Sequence, residues 1–105
     1  MNNKNIKSVK EKLLNKDFMP MPGIFDMISA KVADQFNFDC LYMTGYGAVS
    51  SLLGLPDAGL ATYTDMVGRV RQITTITNTP LIADADTGYG GLLNVEHTVH
   101  GYEDA

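Results

Sequence analysis

Apolar residues follow two patterns that alternate along the chain. Three short apolar runs, at residues 23–25, 40–43 and 81–83, predict strands, and between them apolar positions recur every three or four residues, which predicts helices. Because the runs are apolar at successive positions, we expect each strand to be buried on both faces. A leading helix, followed three times by a strand and a helix, predicts an α/β fold with a parallel sheet built from right-handed βαβ units.

Caps and breaks locate the first two helices. The leading helix places Ile6, Val9 and Leu13 on one face and is expected to end near residue 17. Asp26 is the expected N-cap of the second helix. The expected buried side chains of that helix are Ile28, Val32 and Phe36, with Ala30 and Ala33 beside them.

The segment after the second run is rich in glycine and predicts a loop over residues 45–59 that contains a short helix over 48–53. Thr62 is a candidate N-cap of the next helix, with Asp65 at capping-box spacing. The last helix is expected to begin near Asn94 and to continue to the end of the chain. The apolar stripe of the helix after Thr62 is expected to be Val67, Val70, Ile73 and Ile76.

Composition narrows the class of protein. At 105 residues, of which 45% are hydrophobic, the chain resembles one globular domain in composition, and its net charge of −4 gives no support for nucleic-acid binding. A single cysteine, Cys40, cannot build a disulfide framework, and there is no signal-peptide pattern or long apolar run, so we expect a soluble, cytoplasmic protein with no membrane partner. The lysines of the first sixteen positions suit the solvated face of a helix; they are Lys4, Lys7, Lys10, Lys12 and Lys16.

Two carboxylates follow the third run. Because side chains alternate faces along a strand, we expect Ile82, Asp84 and Asp86 to share one face, with the two Asp Cα atoms roughly 6 to 7 Å apart. Like charges that close raise each other's pKa unless a cation or hydrogen-bond donors offset them. Mg²⁺ meets this need, because it takes one or two protein carboxylates and fills its other positions with water and substrate oxygens. The plainer alternative makes Asp84 a turn residue and Asp86 a helix cap.

Other kinds of site fit the sequence less well. An EF-hand loop starting at Asp84 would need a glutamate where Val95 stands. The Gly-x-Gly after the second run lacks the third glycine of a dinucleotide fingerprint and does not follow the first strand. His97 and His100 are one helical turn apart and could hold a metal, although exposed helix histidines are the usual case.

Polar and glycine-rich residues come where the predicted strands end. Asp26, residues 44–47 and residues 84–86 each follow one of the three runs. In parallel α/β folds, open or closed into barrels, ligands bind at the carboxyl ends of the strands. We therefore expect a ligand site at this edge of the sheet.

Three motifs occur in a characteristic order: Tyr-Met-Thr-Gly-Tyr-Gly at 42–47, Leu-Gly-Leu-Pro-Asp at 53–57 and Ala-Asp-Ala-Asp-Thr-Gly-Tyr-Gly at 83–90. Together they resemble the isocitrate lyase/phosphoenolpyruvate mutase superfamily, above all its methylisocitrate lyase, dimethylmalate lyase and carboxyphosphonoenolpyruvate mutase members. The resemblance implies that residues 1–105 are the N-terminal part, a leading helix and about three βα units, of a single (β/α)8 barrel domain of roughly 250 residues or more. It also implies a homo-oligomer, a tetramer in the family.

The resemblance implies metal-binding roles for three aspartates. Asp84 matches the family's direct metal ligand, which also contacts the substrate. Asp86 and Asp57 match carboxylates that bind the metal through water, and Asp57 is an expected catalytic residue. The implied ion is Mg²⁺, with Mn²⁺ as an alternative.

Four further residues match the family's substrate-binding segment. Thr44, Gly45 and Tyr46 match residues that hold a substrate carboxylate through hydroxyl and backbone N–H groups. Tyr42 matches an active-site tyrosine and is the second expected catalytic residue. Many relatives have a smaller residue, or Trp in the mutases, where this chain has Tyr46, so the phenol would reshape the pocket.

The resemblance implies a magnesium-dependent carbon-carbon lyase that acts on a small 2-hydroxy dicarboxylic or tricarboxylic acid, such as a methylisocitrate or dimethylmalate, through an enolate. In that chemistry the metal is a Lewis acid, and N–H groups hold the carboxylate. The family's general acid is a cysteine on a Lys-Lys-Cys-Gly-His-like gating loop, and this sequence contains no such loop. We therefore expect the 105 residues alone to be inactive.

Alternative functions stay open within and outside the superfamily. Within it, the same residues would serve a phosphonate mutase or hydrolase, or an oxaloacetate decarboxylase or hydrolase. A receiver-like Mg²⁺-binding domain would need an acidic pair after the first strand, where only Asp26 stands. A non-catalytic fragment or interaction protein is the third alternative.

Overall fold

A computed structural model describes residues 6–105, and their side chains from residue 8 onward. The predicted side-chain positions of Lys4, Ile6 and Lys7 lie outside the described residues. The elements are, in chain order, α1 (Ile6–Leu14), β1 (Gly23–Ile24), α2 (Met27–Ala33), β2 (Leu41–Met43), α3 (Gly45–Leu53), α4 (Tyr63–Ile76), β3 (Leu81–Ala83) and α5 (Leu92–Asp104). None of these helices combines the length and the apolar character that a membrane span needs.

The three strands form one parallel sheet in the order β1-β2-β3, which confirms the predicted α/β fold. Ile24 pairs with Met43, and Met43 pairs with Ala83. Beyond these pairs, Thr44 N donates to Ile24 O at 3.0 Å and Asp84 N donates to Met43 O at 3.1 Å. The register therefore brings Thr44 and Asp84 side by side at the carboxyl edge of the sheet.

The hydrophobic core lies between the sheet and helices α2 and α4. The helix stripe predicted after Thr62 is confirmed, because Val67, Val70 and Ile73 are buried and Ile76 packs against the core. The capping box is confirmed too: Asp65 N donates to Thr62 Oγ1 at 3.2 Å, and Thr62 N donates to Asp65 Oδ2 at 2.9 Å. The largest fully buried side chains are Ile24, Leu41, Met43, Met66, Ile73 and Cys40.

The predicted buried face of α2 is wrong. Ile28 is 76% exposed, and Val32 and Phe36 are exposed as well, whereas Ala30 and Ala33 are buried. Two apolar stripes of helical period lie side by side on this segment, and periodicity alone does not choose between them. The alanine stripe faces inward because small side chains let α2 approach the sheet closely.

Three further expectations need correction. β3 was expected to be buried on both faces, but its side chains are only half-buried, because β3 is an edge strand of the sheet that the described residues form. α3 begins at Gly45, three residues before the expected helix, because Thr44 provides an N-cap directly at the end of β2. α5 begins at Leu92, two residues earlier than Asn94, since the side chain of Asn94 accepts from Gly91 N at 3.1 Å and closes the first turn.

Candidate functional site

The carboxyl ends of β2 and β3 bring a tyrosine and an aspartate together. Tyr42 Oη donates to Asp84 Oδ2 at 3.4 Å. The other carboxylate oxygen, Asp84 Oδ1, accepts from Asp86 N at 2.7 Å. Asp84 therefore forms a turn with the residue two positions on, as the plainer interpretation of the sequence proposed. That turn uses one oxygen and leaves Asp84 Oδ2 with a single long contact.

The N-terminus of α3 lies against the same carboxylate. Thr44 is its N-cap, and Gly47 N donates to Thr44 Oγ1 at 3.4 Å. A Cβ atom at position 45 would lie 2.6 Å from Asp84 Oδ2, so only glycine allows this approach. Because Gly45 and Tyr46 are in the first turn of α3, their N–H groups have no acceptor within the helix and can bind an anion.

Two further aspartates face the same space. A cavity of about 60 Å³ is lined by Asp57, Asp84 and Asp86, together with Gly45 and Tyr89. Asp57 lies in the exposed segment that follows α3, and Asp86 is exposed in the loop after β3. Three carboxylates from two separate segments, one after α3 and one after β3, thus line one small space next to the start of α3.

The donor set fits a magnesium ion that is bound mostly through water. Among the described residues, no three His, Cys, Asp or Glu side chains come close enough to hold one ion together. Mg²⁺ does not require this, because it keeps several waters and binds through one or two carboxylates. Asp84 fits the role of a direct ligand best, since it lines the cavity and its Oδ2 has only the 3.4 Å contact from Tyr42 among the hydrogen bonds of the described residues. Asp57 and Asp86 line the same cavity at positions from which they could hold bound water.

The loop between β3 and α5 is held by side chains of α5. Tyr102 Oη donates to Asp84 O at 3.0 Å, and Thr98 Oγ1 donates to Gly88 O at 2.8 Å. Tyr89 Oη lies 3.3 Å from Tyr102 Oη. None of these three side chains is among the site residues predicted from the sequence. The signal was available in part, because Thr98 and Tyr102 are four residues apart and share one face of a helix.

The tyrosines around the site keep their protons. Burial, with a further contribution from the Asp84 carboxylate, raises the pKa of Tyr42. Burial also raises the pKa of Tyr89 and of Tyr102. All three hydroxyl groups are therefore available as hydrogen-bond donors at neutral pH and above.

Asp26 lies outside this site, although it follows a strand. Ser29 N donates to Asp26 Oδ1 at 2.7 Å, and Asp26 N donates to Ser29 Oγ at 3.1 Å, so the carboxylate caps α2 as predicted. The hydrogen bonds from Ser29 lower the pKa of Asp26. The two histidines make separate contacts: the His97 ring packs against the Tyr63 ring at a tilt of 53°, with ring centroids 4.7 Å apart, and His100 Nδ1 lies 3.8 Å from a Glu103 oxygen.

The structure thus brings together five of the seven residues singled out from the sequence, and the other two lie beside them in α3 or at its cap. Tyr46 is 69% exposed. One geometric expectation is wrong: Asp86 does not continue the strand face of Ile82 and Asp84, because β3 ends at Ala83 and Asp86 has a φ of 50°. The five are Tyr42, Gly45, Asp57, Asp84 and Asp86.

The sequence matches the family model described as phosphoenolpyruvate phosphomutase over residues 10–105. The chain is 47% identical over 97 residues to the 2,3-dimethylmalate lyase of Eubacterium barkeri, a match that covers 92% of this chain and 34% of that enzyme. This chain therefore spans about a third of the length of that relative.

Solved structures of enzymes are similar to this chain in fold and in sequence. A 2,3-dimethylmalate lyase, described as a PEP mutase/isocitrate lyase superfamily member, has a TM-score of 0.85 and 44% identity over 93% of this chain and 36% of its own. An oxaloacetate acetylhydrolase with 3,3-difluorooxalacetate has a TM-score of 0.87 and 40% identity over 93% and 34%. A phosphonopyruvate hydrolase complexed with oxalate and Mg²⁺ has a TM-score of 0.83 and 28% identity over 93% and 34%.

Proposed function

This chain belongs to the isocitrate lyase/phosphoenolpyruvate mutase superfamily, and from that membership we propose that the complete protein is a magnesium-dependent lyase. The fold is part of a (β/α)8 barrel, as the resemblance implied. The proposed reaction breaks a carbon-carbon bond of a small 2-hydroxy dicarboxylic or tricarboxylic acid, and an enolate is the intermediate. Homo-oligomer formation and a cytoplasmic location stay predictions.

One observation carries this proposal: the Asp84 carboxylate lies against the N-terminus of α3, in an approach so close that only a glycine at position 45 allows it. An acidic group and a set of backbone N–H donors therefore face one small space. A 2-oxo acid or its enolate presents a carboxylate beside a second oxygen, and it needs an anion-binding group and a cation at once. The paired features suit this class of ligand better than a neutral or a cationic ligand.

Each residue has a task in the proposed reaction. The N–H groups of Gly45 and Tyr46 would bind and orient the substrate carboxylate. Asp84 would hold Mg²⁺, with Asp57 and Asp86 acting through water; when bound, the ion supplies Lewis-acid stabilisation of a developing oxyanion. The Tyr42 hydroxyl, 3.4 Å from Asp84 Oδ2, would keep the carboxylate pointed into the site.

Similarity to the relatives favours two of the candidate substrates. The 47% identity to a dimethylmalate lyase favours a branched malate-type acid. Oxaloacetate hydrolysis is the second candidate, because the solved oxaloacetate acetylhydrolase matches this chain with a TM-score of 0.87 at 40% identity. Both substrates are dicarboxylates that leave a 2-oxo acid or an oxalate-like product, so the site described above would serve either.

The test is an assay of the complete protein on 2,3-dimethylmalate, 2-methylisocitrate, oxaloacetate and phosphonopyruvate, each with Mg²⁺ and with a chelator. We expect turnover of a dicarboxylic acid that chelator abolishes and Mg²⁺ restores. Turnover that chelator leaves unchanged would refute the metal-dependent mechanism. Turnover of phosphonopyruvate alone would move the assignment to the phosphonate branch of the superfamily.

A further inference from the structure

Helix α5 contacts the loop between β3 and α5, which carries Asp84 and Asp86, through two residues on one of its faces. Thr98 is 2% exposed, and its hydroxyl donates to the carbonyl of Gly88 at 2.8 Å. Tyr102, one helical turn later, donates to the carbonyl of Asp84 at 3.0 Å. Both acceptors are main-chain atoms of the segment that carries Asp84 and Asp86. These bonds therefore fix the course of the loop without using the carboxylate oxygens of Asp84 and Asp86.

We propose that Tyr102 is a positioning residue for Asp84: its hydroxyl holds the main chain of Asp84 so that the carboxylate points toward the start of α3. The inference rests on the proposed function, because the carboxylate matters as a cation ligand. Tyr102 itself lines neither the cavity nor the N-terminus of α3.

The backbone around Asp84 needs such support. On one side, Asp84 N is fixed by Met43 O in the sheet. On the other side, the strand has ended and the loop turns sharply, with φ values of 50° at Asp86 and 61° at Tyr89. Left-handed backbone at non-glycine residues costs free energy and persists only when neighbouring contacts enforce it. The Tyr102 hydroxyl supplies a contact at the first carbonyl of this turn.

Tyr102 also links this carbonyl to the cavity wall. Its Oη lies 3.3 Å from the hydroxyl of Tyr89, whose ring lines the cavity and stands edge-on to Tyr63 at 6.5 Å. One hydroxyl group therefore joins the Asp84 main chain and a wall of the site. Groups that orient a metal ligand from behind change the affinity of the metal by about 10- to 100-fold when removed.

The test is the affinity of the complete protein for Mn²⁺, measured by electron paramagnetic resonance in the absence of substrate. Tyr102→Phe removes the hydroxyl and keeps the ring, and we expect it to weaken Mn²⁺ binding by about tenfold. Tyr63→Phe makes the same chemical change at a neighbouring tyrosine. Ile73→Val trims a fully buried core residue of α4 and reports the effect of lost stability alone. Both controls are expected to bind Mn²⁺ like the wild type.

Each outcome decides a separate point. If the wild type binds Mn²⁺ and Tyr102→Phe binds it equally well, the positioning role is wrong and the proposed function stands. If Ile73→Val weakens binding as much as Tyr102→Phe at a similar melting temperature, the effect is general destabilisation and the positioning role is again wrong. If the wild type binds no Mn²⁺, the proposed function fails together with the inference. Should Tyr102→Phe not fold, Tyr102→Met removes the same hydroxyl and keeps a large apolar side chain, and unchanged Mn²⁺ affinity there would contradict the inference.

Discussion

Asp26 and Asp84 occupy comparable places in the fold, and the structure uses them in different ways. Each follows a parallel strand at the carboxyl edge of the sheet, Asp26 after β1 and Asp84 after β3. Asp26 forms a reciprocal capping box with Ser29, three residues further along the chain. In Asp84, one carboxylate oxygen accepts a hydrogen bond from Asp86 N in a turn. The other oxygen lies against the start of α3, in the neighbouring βα unit.

The difference shows what separates a structural carboxylate from a site carboxylate. The hydrogen-bond partners of Asp26 lie in its own βα unit, so its carboxylate charge is stabilised by N–H groups at the start of α2. The neighbours of Asp84 come from three other segments, which supply Tyr42, Gly45 and Tyr102. Position at the end of a strand therefore does not make an aspartate functional. What distinguishes Asp84 is that several other elements meet at it: Tyr42 and Gly45 lie at its Oδ2, and Tyr102 donates to its main-chain carbonyl.

Replacing Asp84 should give the largest effect on activity. Asp84→Ala removes the proposed direct metal ligand, and the loss of several kcal/mol of transition-state stabilisation predicts a fall in kcat/KM of about a thousandfold or more. The measurement is steady-state kinetics of the complete protein on its preferred dicarboxylic acid. Asp26→Ala is the matched control and should keep nearly full kcat/KM. If both variants lose activity equally, the contrast between the two aspartates is wrong.

Filling the space beside Asp84 should give the next largest effect. Gly45→Ala puts a Cβ atom where it would lie 2.6 Å from Asp84 Oδ2, so the carboxylate must move, and we expect kcat/KM to fall by about 10- to 100-fold. Gly68→Ala, inside α4, is the matched control, because a Cβ atom there meets nothing within 4 Å. That variant should be stabilised by about 0.5 to 1 kcal/mol and keep its activity. Wild-type kinetics in Gly45→Ala would show that the close approach has no functional meaning.

The third prediction concerns stability. Asp26→Ala removes the side-chain acceptor for Ser29 N, and loss of an N-cap of this kind costs about 1 kcal/mol. Urea unfolding of the complete protein should show this loss at neutral pH. Asp84→Ala should change the unfolding free energy less, since its carboxylate serves a turn and a ligand site. A larger stability loss in Asp84→Ala would reverse the assignment of the two roles.

The smallest expected effect is the pH dependence of the contribution that the Asp26 cap makes to the free energy of unfolding. Hydrogen bonds from Ser29 lower the pKa of Asp26 below its unfolded value of about 3.9. The folded state thus favours the charged carboxylate, so the stabilisation is fully present above pH 4 and is lost as the pH falls through the folded pKa. The difference in unfolding free energy between the wild type and Asp26→Ala should shrink below about pH 4. A difference that grows on acidification would contradict the assigned direction of the shift.

Local patterns predicted most of the elements. The caps at Asp26 and Thr62 and the three parallel strands follow from side-chain chemistry within a few residues, and the structure confirms them. The buried face of α2 could not be predicted from the sequence, because two apolar stripes of the same helical period lie on that segment. Only packing in the folded protein selects between them. The helix start at Gly45 was missed because Thr44 caps it without an intervening loop.

The sequence predicted the residues that line the site, and it did not predict the side chains that hold the loop in place. The motifs singled out Asp57, Asp84 and Asp86, which line one cavity. The hydrogen bond from Tyr102 to the Asp84 carbonyl joins residues 18 positions apart, and the helical spacing of Thr98 and Tyr102 does not indicate which loop that face contacts. Such contacts depend on how a helix lies against a loop, which is set by the whole fold.

The most direct test of the central claim is a crystal structure of the complete protein with Mn²⁺ and oxalate, in which anomalous scattering locates the ion. The account predicts one Mn²⁺ peak at bonding distance from an Asp84 carboxylate oxygen, with waters toward Asp57 and Asp86 and an oxalate carboxylate at the N-terminus of α3. A peak bound by other residues, or no peak at an occupied oxalate site, would contradict it.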